Sequence, residues 1–184
     1  SKKVVVVYHS GFGHTARRAE HVFNGVAAVD GVDALRVSVE NVDAHWDDLA
    51  AADAIIFGAP TYMGSVSAPF KAFMDASSKV WFTQGWKDKL AAGFTNSASQ
   101  SGDKLNALLQ MMVFSGQHAM VWVSLGLPPG NNASTGSVDD LNRIGSYAGA
   151  MAQSNADEGA EAMRESDLKT AEHLGRRVAE MALR

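Results

Sequence analysis

Three short segments hold most of the residues that could do chemistry. The first is Ser10-Gly11-Phe12-Gly13-His14-Thr15, which joins a β-branched run to a helical one. Its two glycines let the backbone approach a ligand closely. The helix that follows offers unpaired N–H groups at its positive end, and Ser10 and Thr15 add hydroxyls. The segment is an anion site without a lysine or arginine of its own, so neutral donors would do most of the holding. An ATP-type phosphate loop fails, because it needs a lysine and a wider glycine spacing. Two nucleotide readings stay open. Gly11-x-Gly13-x-x-Ala16 fits the relaxed dinucleotide fingerprint, with Glu40 as the ribose-binding acid after strand two. A mononucleotide phosphate loop is the other. The bland alternative is a plain strand–helix turn with His14 exposed in the first helical turn.

The second segment contains Pro60, Thr61, Tyr62, Met63 and Gly64. It combines a hydroxyl with flat and polarizable surface, against which a planar heteroaromatic ring could lie. The third contains Thr95, Asn96, Ser97, Ala98, Ser99, Gln100 and Ser101, small or amide-bearing and uncharged. Each segment alone is explained as well by structure: Tyr62 and Met63 as caps on the core, Ser101 as a helix cap. Three of them at one sheet edge favour a ligand with a phosphate, a polyol and a polar ring.

The elements around them put all three at that edge. Lys3–Tyr8 and Ala54–Ala59 are short apolar runs of the kind buried on both faces of a parallel sheet. Leu35–Val39, Leu90–Phe94 and Met120–Leu125 complete five strands. Between them apolar residues recur at helical spacing: Ala16 to Val26, a short helix near Ala44–Leu49, one after Pro69, Leu105 to Val113, and Leu168 to Met181. Alternation of strands and helices predicts an α/β fold with a doubly wound parallel sheet and helices on both faces. Ligands of such sheets bind beyond the carboxyl ends of the strands. Residues 126–159 are rich in Gly, Ser and Asn and show no periodicity. With no linker, a single domain over 1–184 is expected.

Composition narrows the chemistry. The chain has no cysteine, which excludes thiolate catalysis, disulfides and iron–sulfur clusters, and no metal site is expected. Sixteen basic against twenty acidic residues, with no basic stripe, point away from nucleic acid. No apolar run approaches membrane-spanning length, and no cleavage pattern follows the first strand, so a cytoplasmic setting is expected.

Several motifs in order resemble one family. They are Tyr8-His9-Ser10-Gly11-Phe12-Gly13-His14-Thr15, Gly58-Ala59-Pro60-Thr61-Tyr62-Met63-Gly64, Phe70-Lys71-Ala72-Phe73-Met74-Asp75, Lys89-Leu90-Ala91, Gln117-His118-Ala119-Met120-Val121 and Gly145–Ala150. Together the sequence resembles the flavodoxin-like quinone reductases of the tryptophan-repressor-binding-protein (WrbA) family nearly end to end. The resemblance implies a five-stranded sheet of order 2-1-3-4-5, FMN as cofactor and two-electron reduction of quinones by NAD(P)H, with both substrates using one flavin face in turn. It implies a homo-oligomer, a tetramer or dimer. It puts the phosphate on Ser10–Thr15 and the ring between Pro60–Gly64 and Thr95–Ser101. His118 matches a histidine near the flavin, and it and Tyr62 are the candidates for orienting a substrate oxygen. Trp81 matches a substrate-pocket aromatic, and Phe12 stands where a tyrosine usually meets the nicotinamide nucleotide. The alternatives are a flavodoxin-type single-electron carrier and an NAD(P)H-dependent FMN reductase. A Mg²⁺-dependent receiver domain is rejected, because strand one ends in Tyr8-His9-Ser10 and not in carboxylates.

Overall fold

The computed structural model describes all 184 residues. Strands β1 (Lys2–Tyr8), β2 (Val32–Ser38), β3 (Ala54–Tyr62), β4 (Ser65–Val66), β5 (Leu90–Ser97), β6 (Val121–Trp122) and β7 (Ala150–Gln153) form one sheet. Its main path runs β2-β1-β3-β5-β6, with those neighbours parallel. This is the doubly wound order expected from the sequence. Strand β4 adds an antiparallel return onto the end of β3.

Helices cover both faces: α1 (His14–Ala27) and α6 (Glu165–Ala182) on one side, α3 (Ala68–Ala76) and α5 (Lys104–Gln117) on the other. The short helices α2 (Trp46–Ala51) and α4 (Ser78–Phe82) complete the set. The alternation in β1 sorts the core. Val4 and Val6 join Val22, Val26, Leu174 and Val178, whereas Val5 and Val7 join Phe57, Phe70, Phe73, Trp86 and Phe114. Helices α1 and α6 touch at backbone distance: a β-carbon on Gly25 would overlap the Glu172 carbonyl, and one on Gly175 the Val22 carbonyl.

Three expectations need correction. The fifth strand does not run through Met120–Leu125. It stops after Trp122, and the edge position resumes at β7, which pairs Phe94↔Ala150 through Ser97↔Gln153. Gly126 at φ 72° turns the chain away, and Pro128-Pro129 could not donate to a ladder. The excursion is held by side-chain-to-backbone bonds: the Asn142 amide donates to the carbonyls of Leu127, Pro128 and Ser146 and accepts from the Ser146 N–H. Strand β3 continues through Pro60, which is opposite Asn96 of β5. On its other side β1 has already ended opposite Gly58, so no ladder bond there is lost to the proline. Strand β5 likewise includes Thr95, Asn96 and Ser97, expected as loop.

Candidate functional site

At the carboxyl edge of the sheet the loops after β1, β3 and β5 enclose a cleft of about 670 Å³, within the range of small-molecule sites. Gly13 caps α1 in the left-handed conformation at φ 97°. Ser10 Oγ accepts from the N–H groups of Gly13 (3.1 Å) and Ala16 (3.0 Å), which closes the loop on itself. The N–H groups of Gly11, Phe12, His14 and Thr15 find no acceptor in the protein. Four orphan donors at a helix N-terminus suit a phosphate.

Two side chains of this loop have other work. Thr15 Oγ1 donates to Asn96 Oδ1 at 2.7 Å. His14 is buried, not exposed, and its Nε2 meets the Glu158 carbonyl at 2.8 Å. They tie the first loop to β5 and to the segment after β7, leaving their backbone N–H groups for a ligand.

The middle loop forms one wall. Thr61 and Thr95 hydroxyls pair at 2.6 Å in the floor, and Thr95 is fully buried below the lining. Pro60, Thr61, Tyr62, Met63 and Gly64 all line the cleft. The Tyr62 hydroxyl lies over Gly11, where a β-carbon would overlap it. Its ring meets Phe12 edge-on at 6.2 Å, and burial raises the phenol above its usual range, so it stays neutral. Phe12 and Met63 are among the most exposed large apolar side chains of the molecule.

The third wall comes from β5 and the turn after it. Asn96, Ser97, Ala98 and Ser99 line the cleft, but Gln100 and Ser101 do not. Ser101 acts as a turn residue: its hydroxyl accepts from the Asp103 N–H. Backbone N–H groups from residues 98 to 102 have no acceptor in the protein, a second row of free donors. Sequence reasoning missed Asp103, Ser154 and Ala156, which also line the cleft; nothing periodic marks the last two. It also missed the cations behind the wall. Lys104 Nζ bonds Ser97 Oγ, Ser99 O and Gln100 O, and Arg18 Nη1 bonds the Thr95 carbonyl.

His118 and Trp81 do not line this cleft within their own chain. Helix α5 carries the chain from the cleft back to the opposite edge of the sheet before His118, its C-cap. There His118 packs on Trp86 and Phe114 at centroid distances of 4.4 and 4.9 Å. Ser77 Oγ donates to the Met74 carbonyl and so accepts from His118 Nε2–H, which leaves Nδ1 bare and without a partner. Burial lowers the pKa of the ring, so it is neutral and a poor acid. Trp81 and His118 instead line a second cleft of about 690 Å³ between α3, α4 and α5. The two clefts are alike in size, and only the first combines orphan helix-end donors with a polar ring wall.

Residues 35–128, half of the chain, match the family described as NADPH-dependent FMN reductase. The chain belongs to that family. It is 46% identical over 181 residues to flavodoxin FldP of Pseudomonas aeruginosa, covering 96% of this chain and 95% of the relative. It is 33% identical over 201 residues to an NAD(P)H dehydrogenase (quinone) of Geobacter sulfurreducens, with 97% of each chain covered. Among solved structures, a flavodoxin described as WrbA-like from Agrobacterium tumefaciens superimposes with a TM-score of 0.79 at 44% identity, covering 100% of this chain and 98% of that one. The WrbA-type, flavodoxin-like assignment read from the motifs therefore stands.

Proposed function

We propose that the protein is an FMN-dependent NAD(P)H:quinone oxidoreductase acting as a single domain. One observation carries this: three loops at one sheet edge present two rows of unpartnered N–H groups around a cleft whose rim is apolar. The relatives named NAD(P)H dehydrogenase (quinone) and the FMN reductase match agree with it. The residues fit FMN. Ser10–Thr15 would hold the phosphate through backbone N–H groups, with Gly13 supplying the left-handed turn. Asn96–Ser99 and Thr61–Met63 would hold the ring between them.

When bound, the flavin supplies hydride acceptance and donation. The protein's part is to orient flat partners. Exposed Phe12 and Met63, with half-exposed Tyr62, offer apolar surface at the mouth where a nicotinamide and then a quinone could lie. Tyr62, kept neutral by burial, can donate a hydrogen bond to a substrate oxygen. His118 cannot do so within its own chain. A role for it and Trp81 at a flavin requires a neighbouring copy. Exposed Leu109 and Val113 of α5 line the second cleft together with Trp81, and this supports a homo-oligomer, a tetramer or dimer. No helix is long and apolar enough to cross a membrane, which accords with a cytoplasmic enzyme.

The test is stopped-flow spectroscopy of the FMN-loaded protein. Rapid bleaching of the flavin by NAD(P)H, then rapid reoxidation by a benzoquinone, is expected. Bleaching without reoxidation by any quinone would refute the assignment. A second reading, a single-electron carrier, is favoured by the 46% identity to flavodoxin FldP; reoxidation by a one-electron protein acceptor alone would establish it.

A further inference from the structure

The loop of residues 97–102 is wrapped around a buried ammonium. Lys104 opens α5 with its side chain 1% exposed. Its Nζ donates to Ser97 Oγ (2.9 Å), the Gln100 carbonyl (2.7 Å) and the Ser99 carbonyl (3.3 Å). Ser97 Oγ is itself a donor to the Ser99 carbonyl, so its lone pairs are free to accept from the lysine. Oxygen atoms of the loop are thus gathered inward, while its N–H groups from 98 to 102 have no protein acceptor. Ala98, Ser99 and Gly102 line the cleft.

The charges around Lys104 do not cancel. Arg18 on α1 is fully buried, with Nε and Nη2 unpartnered. Asp167 on α6 is the carboxylate that faces this group, and it is already held in a fork by Arg143 of the segment before β7, at 2.8 and 2.7 Å. Three cations therefore share one buried carboxylate just behind the cleft wall. The groups that Lys104 touches directly, Ser97, Ser99 and Gln100, are uncharged.

We infer that Lys104 is a positioning residue that shapes the 97–102 loop into a donor cradle and, with Arg18, holds positive charge against the edge of FMN that becomes anionic on reduction. This rests on the FMN reading above and deepens it. The hydride donor delivers two electrons and one proton to the ring. Unless a second proton follows, the reduced ring carries one negative charge on its pyrimidine edge. Free N–H groups and a buried ammonium favour that charge over the neutral oxidised ring.

Burial lowers the Lys104 pKa to about 8, the Asp167 carboxylate opposing the shift and Arg143 and Arg18 adding to it. An anionic ring would pull it back up, so reduction above pH 8 would draw a second proton from solvent onto Lys104.

The experiment is a dye-equilibrated redox titration of the FMN-loaded protein from pH 7 to 9.5, for wild type and Lys104→Met. In the wild type, protons taken up per two electrons should rise from one toward two as the pH passes about 8; in Lys104→Met the count should stay at one. At pH 7 the variant should bind reduced FMN about tenfold less tightly relative to oxidised FMN, a drop of about 30 mV in the two-electron potential. A constant count of one in the wild type overturns the inference, even if the variant fails to fold. An unchanged potential in a folded variant overturns it too. Wild type that binds no FMN overturns the functional reading along with it.

Discussion

Gly13 offers a clean test of where the phosphate sits. A β-carbon there would meet only the Ala160 β-carbon, at an ordinary 3.7 Å, so the first side-chain atom, common to alanine and aspartate, meets no clash. The backbone is left-handed at φ 97°. Alanine bears about 1–2 kcal/mol of strain in that region, and aspartate tolerates it better. Backbone effects alone therefore make Gly13→Asp the milder variant. Electrostatics reverses the order if the loop holds a phosphate. A carboxylate about 5 Å from a doubly charged phosphate, at an effective dielectric of about 50, is repelled by about 2–3 kcal/mol. At about 1.4 kcal/mol per decade, Gly13→Asp should bind FMN roughly 50-fold more weakly than Gly13→Ala. Flavin fluorescence quenching on titrating the apoprotein measures both, with a thermal melt to show that each is folded. Added salt should shrink the gap, and riboflavin, which lacks the phosphate, should show none. Equal FMN affinities for the two variants at low salt would refute the placement.

Other expectations are briefer. Gly25→Ala forces a β-carbon into the Glu172 carbonyl; overpacking of this kind costs about 2 kcal/mol, so a melt should show Tm falling by about 4–8 °C. Asp167→Asn removes the carboxylate shared by Arg143, Arg18 and Lys104 and should lower stability to denaturant by about 3–5 kcal/mol. Because the Lys104 pKa is lowered from 10.5 to about 8 on folding, the unfolded chain binds more protons between those values; wild type should gain stability relative to Lys104→Met as the pH rises from 8 to 10.5. Trp81→Ala removes a half-exposed ring from the second cleft; it should leave FMN binding intact and weaken self-association by light scattering.

How much of this was legible depended on what held each piece. Val4–Val7, Ile55–Phe57 and the apolar faces of α5 and α6 are packed by burial, and burial writes a period into sequence. The alternating α/β fold and the edge that bears the site followed from those runs, whereas the strand order came with the family resemblance. The excursion between β6 and β7 is held by Asn142 and its carbonyl partners, and hydrogen bonds of that kind leave no period. Ser154 and Ala156 reach the cleft by that route and were invisible. Lys104 was hidden differently: it stands at a helix start after a polar loop, where a lysine is ordinarily solvated, and only the fold shows three oxygens closed around it. His118 was placed near the flavin by resemblance alone, and within its own chain it lines the second cleft.

The same buried charges bear on which of two activities the cleft serves. The chain is similar both to a flavodoxin and to quinone dehydrogenases, and identity alone favours the first. A single-electron carrier works by making full reduction of its flavin unfavourable, and carboxylates near the ring do this, because the fully reduced ring is an anion. Here the one carboxylate lining the cleft is Asp103, and behind the wall Arg18, Lys104 and Arg143 outnumber Asp167. That balance favours the anion. It suits a site that takes hydride in one step and passes two electrons on. The rim points the same way: exposed Phe12 and Met63 offer flat, apolar contact to a small partner, whereas the net charge of the whole chain, at -4, gives only weak electrostatic guidance to a protein partner.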